Sequence, residues 1–280
     1  MKKIISLIIL ISIAMFHAGL SSAADEPAAD MKKESFLKVM EKIFGKDQKV
    51  VRIEDREDSP VRGLRQIRVW FESVYGETPI LFYITDDGSM VIAGSIFDAE
   101  GNNLTKKNVG NTKPRTIQLS DMEVHDEYMF GSPAAEVKIV LWTGTDVVSL
   151  KIFDTLYKIY ENNKNKVVLY IKFYPTSKAD LKQDMHRAFA LSCFKNKEFI
   201  SGVTFIKGAA PTWGKDLNDF ESFKKEKGFQ DCDGEVVRKD MELSKKLRLP
   251  FHQVVFVNGT IIIEDITKEN IIKLSGTKLD

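Results

Sequence analysis

The order of elements after residue 137 constrains this chain more than any other feature. Val137 to Trp142 is an unbroken apolar run of strand type. A helix is predicted from about Asp146 to Asn162, with Phe153, Leu156, Tyr157 and Tyr160 on its apolar face. Val167 to Phe173 reads as a second strand and stops at Pro175. Two strands joined by one helix are expected to run parallel, with a right-handed crossover. Residues 178–227 then read as mostly helical and charged, and Val236 to Leu247 as one more helix. Gln253 to Val257 is a strand, Asn258-Gly259 a tight hairpin signal and Thr260 to Glu264 the partner strand. Thr267 to Leu274 closes the chain as a helix. A parallel first half, a helical insertion and a hairpin second half make a specific α/β topology.

The part before residue 106 is organised differently. Glu34 to Phe44 carries apolar residues at helical spacing and stops at Gly45. Leu64 to Val74, Pro79 to Thr85 and Met90 to Phe97 are strand-like, and Asp86-Asp87-Gly88 is a turn signal between the last two. This predicts a small antiparallel β unit with one leading helix. Between Lys106 and Pro133 apolar content falls, and Gly110-Asn-Thr-Lys-Pro114 has linker composition. The expected organisation is an α+β domain over 24–105, a linker over 106–133, and an α/β domain over 134–280 with its helical insertion at about 178–245.

The first residues read as a signal peptide, 1–23. Lys2 and Lys3 precede an apolar run from Ile4 to Phe16, and Ser21-Ser22-Ala23 supplies small residues for cleavage after Ala23, with Ala24 the other candidate. The run is short for a spanning helix. Loss of Lys2 and Lys3 takes the formal charge from +1 to −1. A near-neutral chain argues against nucleic acid or, after cleavage, an anionic membrane as partner. Export would place Cys193 and Cys232 in an oxidising compartment. An isolated pair there is more often a structural disulfide than a metal site. A redox-active pair is the alternative, although such pairs usually sit close in sequence and these lie 39 residues apart. His125, His186 and His252 are scattered without metal-ligand spacing. No metal or other cofactor is expected.

Several stretches carry a resemblance. "PILFYITDDGSMVIAGSIFDAEGNNLT", Pro79 to Thr105, resembles the dimerisation domain of the DsbC/DsbG protein-disulfide isomerases of the bacterial periplasm. "FALSCFKNKEF" and "GFQDCDGEVVRKDMELSKKLRLP" resemble that family's two cysteine segments, and "LRLPFHQVVFVNGT" its cis-proline loop and following hairpin. The element order after residue 137 resembles the thioredoxin fold. The resemblance implies a thioredoxin-like C-terminal domain and a structural Cys193–Cys232 disulfide. It also implies a homodimer formed through the N-terminal domain, and a periplasmic location. Leu249, Pro250 and Phe251 would form a peptide-binding loop, with Pro250 cis where an ordinary strand-initiating proline would be trans.

The departure falls on the reactive motif. The family's strand runs into F-T-D-x-x-C-x-x-C, and here Trp142-Thr143-Gly144 stands at F-T-D. The cysteine positions fall on Val147 and Leu150, or one residue earlier on Asp146 and Ser149. Asp146, Val147, Val148, Ser149 and Leu150 thus form a degenerate site. Thiol–disulfide exchange needs a thiolate, which the motif supplies at a helix N-terminus. None of the five residues provides one. Thr145 or Asp146 reads as the helix N-cap, and Ser149 as a capping or solvated hydroxyl. The expected function is a non-catalytic, chaperone-like homodimer that binds unfolded or extended polypeptide. The alternative is a thiol–disulfide oxidoreductase or isomerase working through Cys193 and Cys232.

Overall fold

The computed structural model describes residues 38–42, 49–56, 59–85, 89–177 and 179–280. The expected signal peptide and the Asp86-Asp87-Gly88 turn lie outside the described residues. So does most of the leading helix, of which 38–42 (α1) is described as helical.

The N-terminal sheet is an antiparallel path of β1 (Val50–Arg56), β2 (Leu64–Ser73), β3 (Gly76–Thr85) and β4 (Val91–Ala93). Side-chain alternation sends Ile67, Val69 and Phe71 of β2 to one face, where they meet Phe82, Ile84 and Met40. The Met90–Phe97 strand is shorter than predicted: only Val91 to Ala93 pairs with β3. α2 (Leu104–Val109) follows, capped by Asn103, whose side chain accepts from the Lys106 amide. β5 (Lys113–Pro114) then returns to pair with β3.

The C-terminal sheet has the order β10-β9-β7-β8-β6. β7 (Val137–Thr143) and β8 (Val167–Phe173) are parallel and joined by α3 (Val147–Asn162). β9 (Val254–Val257) runs antiparallel to β7, and β10 (Thr260–Ile261) antiparallel to β9. β6 (Met129–Phe130) adds an antiparallel edge on β8 that is too short to leave a sequence signal. The insertion comprises α4 (Leu181–Ser192), α5 (Phe199–Gly208), α6 (Leu217–Lys227) and α7 (Glu235–Lys246), and α8 (Lys268–Ser275) closes the chain.

β7 and β8 are covered on both faces, which explains their unbroken apolar sequences. Ile139, Leu141, Leu169 and Ile171 pack with Leu150, Phe153 and Leu156 of α3 and with the insertion helices. Val140, Trp142, Val168 and Tyr170 pack on the other face with Ile117, Met122, Leu243 and Leu249. A parallel pair with an antiparallel hairpin, helices inserted between them, is the thioredoxin-like arrangement.

The segment after β5 joins the two sheets. The Arg115 amide donates to the Tyr75 carbonyl at 2.7 Å, the Ile117 amide to the Gly259 carbonyl at 2.8 Å, and the Ile261 amide to the Arg115 carbonyl at 2.9 Å. Two glycines allow this approach. Gly76, at φ 128°, lies so close to Lys113 that a Cβ would strike its carbonyl oxygen. Gly259, at φ 83°, would place a Cβ 2.5 Å from the Ile117 carbonyl oxygen. Both φ values are ones that side-chain-bearing residues rarely adopt.

Candidate functional site

β7 ends at Thr143, and the chain turns through Gly144 and Thr145 into α3. Asp146 is the N-cap: its carboxylate accepts from the Val148 amide at 2.8 Å and the Ser149 amide at 3.1 Å. The Ser149 hydroxyl donates to the same carboxylate at 2.7 Å. Gln253, at the start of β9, donates from Nε2 to Asp146 at 2.9 Å and to the Ser149 hydroxyl at 2.6 Å. A three-residue hydrogen-bond network therefore ties the N-terminus of α3 to the loop that precedes β9. Of the two registers read from sequence, the structure brings together Asp146 and Ser149. Val147 is 70% exposed, whereas Leu150 points into the core.

The network is flanked by apolar surface. Val147 and Val148, between Asp146 and Ser149 in the chain, are exposed, and so is Phe251, two residues before Gln253, at 50%. The Phe251 ring meets Tyr174 edge-on at 6.3 Å. Leu249 and Pro250 beneath it are buried. Pro250 corrects one expectation. No peptide bond among the described residues is cis, so Leu249–Pro250 is trans. The chain reverses one step earlier, at Arg248, which takes a left-handed φ of 50°. Its amide donates to the Lys245 carbonyl and that of Leu249 to the Ser244 carbonyl, the paired bonds of a Schellman ending for α7.

Asp184 of α4 fixes the turn before α3 from below. It is buried, and it accepts from the Thr145 amide and hydroxyl, both at 2.6 Å, and from the Thr176 and Ser177 amides at 2.9 and 3.1 Å. Gly144 leaves room for it, since a Cβ there would lie 2.5 Å from its carboxylate. Burial pushes the Asp184 carboxyl above its ordinary range, against the hydrogen bonds from Thr145 and Ser177 that pull it down.

A second buried network lies under the same end of β8. Lys172 and Asp240 form an ion pair in which each is 1% exposed. The Lys172 ammonium also donates to the Glu123 carbonyl at 2.8 Å, and His125 Nε2 lies 3.0 Å from it and 3.2 Å from Asp240 Oδ1. The second Asp240 oxygen accepts from the Phe173 amide at 2.8 Å. Sequence reasoning missed Gln253, Asp184, Lys172 and Asp240 because each acts on a residue distant in the chain. His125 belongs to this network. His186 hydrogen-bonds the Gly214 carbonyl at 2.7 Å, and His252 meets Tyr75.

Cys193 and Cys232 are joined in a disulfide, with their Cα atoms 5.6 Å apart. They are the chain's two cysteines, so this arrangement holds no thiol. Among the described residues no group of three His, Cys, Asp or Glu could hold a metal ion, and no helix is long and apolar enough to cross a membrane.

The C-terminal sheet and its helices have a thioredoxin-like arrangement. Residues 21–106 match the disulfide bond isomerase protein N-terminal domain. That match covers the N-terminal part of the chain alone. A search of curated proteins finds no match. Similar solved structures include BdbD from Bacillus subtilis in its oxidised form, at 17% identity and TM-score 0.41, covering 57% of this chain and 94% of that one. Alpha-DsbA1 from Wolbachia pipientis is similar at 16% identity and TM-score 0.39, covering 54% of this chain and 92% of that one. A conserved protein of unknown function from Enterococcus faecalis gives 15% identity and TM-score 0.47, covering 57% and 95%.

Proposed function

We propose that this protein is an exported, periplasmic homodimer that binds unfolded or extended polypeptide and does not catalyse thiol–disulfide exchange. One observation carries the reading. At the helix start where the family's dithiol would fall, Asp146, Ser149 and Gln253 form a closed hydrogen-bond network, and the adjoining Val147, Val148 and Phe251 are exposed. Carboxylate, hydroxyl and amide cannot attack a disulfide sulfur, which requires a thiolate. Apolar surface beside an extended loop is suited to holding a client chain. Dimerisation through the N-terminal unit is supported by the matched domain, and by Met90, Ile92 and Phe97, which are exposed in and around the edge strand β4.

The test is suppression of aggregation of a reduced, unfolded client by the purified protein. Protection at equimolar protein is expected. No protection at several-fold excess removes the reading. A second reading, exchange through Cys193 and Cys232, is favoured by an opening of 500 Å³ lined by both cysteines. Insulin reduction with dithiothreitol separates the two. The binding reading expects no turnover and a bond reduced only on unfolding, and rapid reversible reduction with turnover would establish the second.

A further inference from the structure

A cleft of 1130 Å³ opens between the N-terminal sheet and the thioredoxin-like unit, beside the Arg248–Gln253 loop. Its charged groups do not balance. Glu72 is engaged by Lys49 at 2.7 Å, and Glu77 by Lys113 at 3.7 Å. Arg115 and Arg248 remain, and among the described residues neither guanidinium has a carboxylate at ion-pair distance. The two residues are neighbours: Arg115 Nη1 donates to the Arg248 backbone carbonyl at 3.3 Å, and the Arg248 charge acts on the Arg115 guanidinium. Both backbones are fixed: Arg115 by its bonds to Tyr75 and Ile261, and Arg248 by the left-handed ending of α7. Burial and the neighbouring Arg248 charge lower the Arg115 pKa, while Glu72 raises it. Glu72 acts on both guanidiniums but is itself paired with Lys49, which leaves the cleft an excess of positive charge that an incoming anion can offset. Guanidinium groups match the two oxygens of a carboxylate better than any other side chain does. The cleft also has apolar walls at Val51 and Val74, which are 42% and 38% exposed.

We infer that this cleft is an oxyanion site in which Arg115 and Arg248 hold a carboxylate of the bound polypeptide, from an Asp or Glu side chain or a free C-terminus. The inference rests on the polypeptide-binding reading and names its preferred client: an apolar segment followed by an acidic group. Phe251 and Arg248 lie three residues apart on one loop, so an extended chain passing over Phe251 is led toward the arginines.

The experiment measures fluorescence anisotropy of labelled apolar peptides with the full protein. The set contains a Glu peptide, its Gln counterpart, and each with a free or amidated C-terminus. The Glu or free-carboxylate peptide is expected to bind about tenfold more tightly than its neutral counterpart. Arg248→Gln, alone and with Arg115→Gln, is expected to abolish that ratio while leaving the Gln-amide peptide's affinity unchanged. Arg248→Gln keeps the carbonyl that Arg115 meets, and a thermal melt confirms that each variant folds. Which peptide loses affinity in the variants distinguishes a side-chain carboxylate from a C-terminal one. Equal binding of all peptides to the unaltered protein overturns the inference and leaves polypeptide binding standing. No binding of any peptide overturns both.

Discussion

Lys172 and Asp240 are the residues whose loss the fold would feel most. Each is 1% exposed, and each neutralises the other. Removing one partner of such a pair strands a buried charge and is worth about 3 kcal/mol or more. Asp240→Asn is therefore expected to lower unfolding free energy by about that amount in urea titrations. The double change Lys172→Met with Asp240→Leu should recover most of the loss. A double variant no more stable than the single one would show that the network matters for its geometry and not its charge. At this scale the sequence was readable only for local contacts. Asp146 was one of two cap candidates, with Thr145, and the partners that settle it, Val148 and Ser149, follow it directly. Gln253, 107 residues away from Asp146, carried no such signal. Arg248 was unreadable for another reason: a left-handed conformation is ordinarily foretold by glycine, and an arginine there conceals the turn.

At the scale of elements, the start of α3 decides how the chain is aligned with the C-x-x-C pattern. Residues at the N-cap and three positions on meet at the helix end, and here their side chains lie 2.7 Å apart. The pair one residue later diverges, one side chain to solvent and one to the core. Asp146→Cys with Ser149→Cys is accordingly expected to close a second disulfide and to gain turnover in insulin reduction, because a helix N-terminus lowers a thiol's pKa. Val147→Cys with Leu150→Cys should do neither. Thiol titration after mild oxidation reads both outcomes, and closure of the later pair alone would reverse the assignment. The elements themselves were largely legible. β7, α3, β8 and α7 lie within a residue or two of their expected bounds, because long apolar runs and helical spacing are strong signals. β5 and β6 are two residues each and owe their existence to the strands they pair with, and β10, expected over Thr260 to Glu264, pairs only over Thr260–Ile261. The disulfide closes a loop of 39 residues around the insertion helices, a cross-link worth about 4 kcal/mol in the chain-entropy model.

At the scale of the whole molecule, the two sheets are coupled through residues 113–117. Composition marked that stretch as a linker, yet its amides and carbonyls serve both sheets. The coupling predicts a single calorimetric unfolding peak. Gly76→Ala, which would force a Cβ against the Lys113 carbonyl, is expected to split that peak in two. Two resolved peaks in the unaltered protein would refute the coupling. The same joint sets Arg115 within reach of Arg248, so the cleft between the units is a product of how they are joined.

That shared segment also bears on how such a molecule can be recombined. A chimera is ordinarily made by cutting where two halves touch least and grafting one onto a new partner. Here the composition-marked cut point is a segment whose backbone bonds reach both halves, approached closely by a glycine from each. Any graft must carry residues 113–117 together with Gly76 on one side and Gly259 on the other. The two halves are thus inherited as one piece, and the segment least like a core in its composition is as constrained as the core.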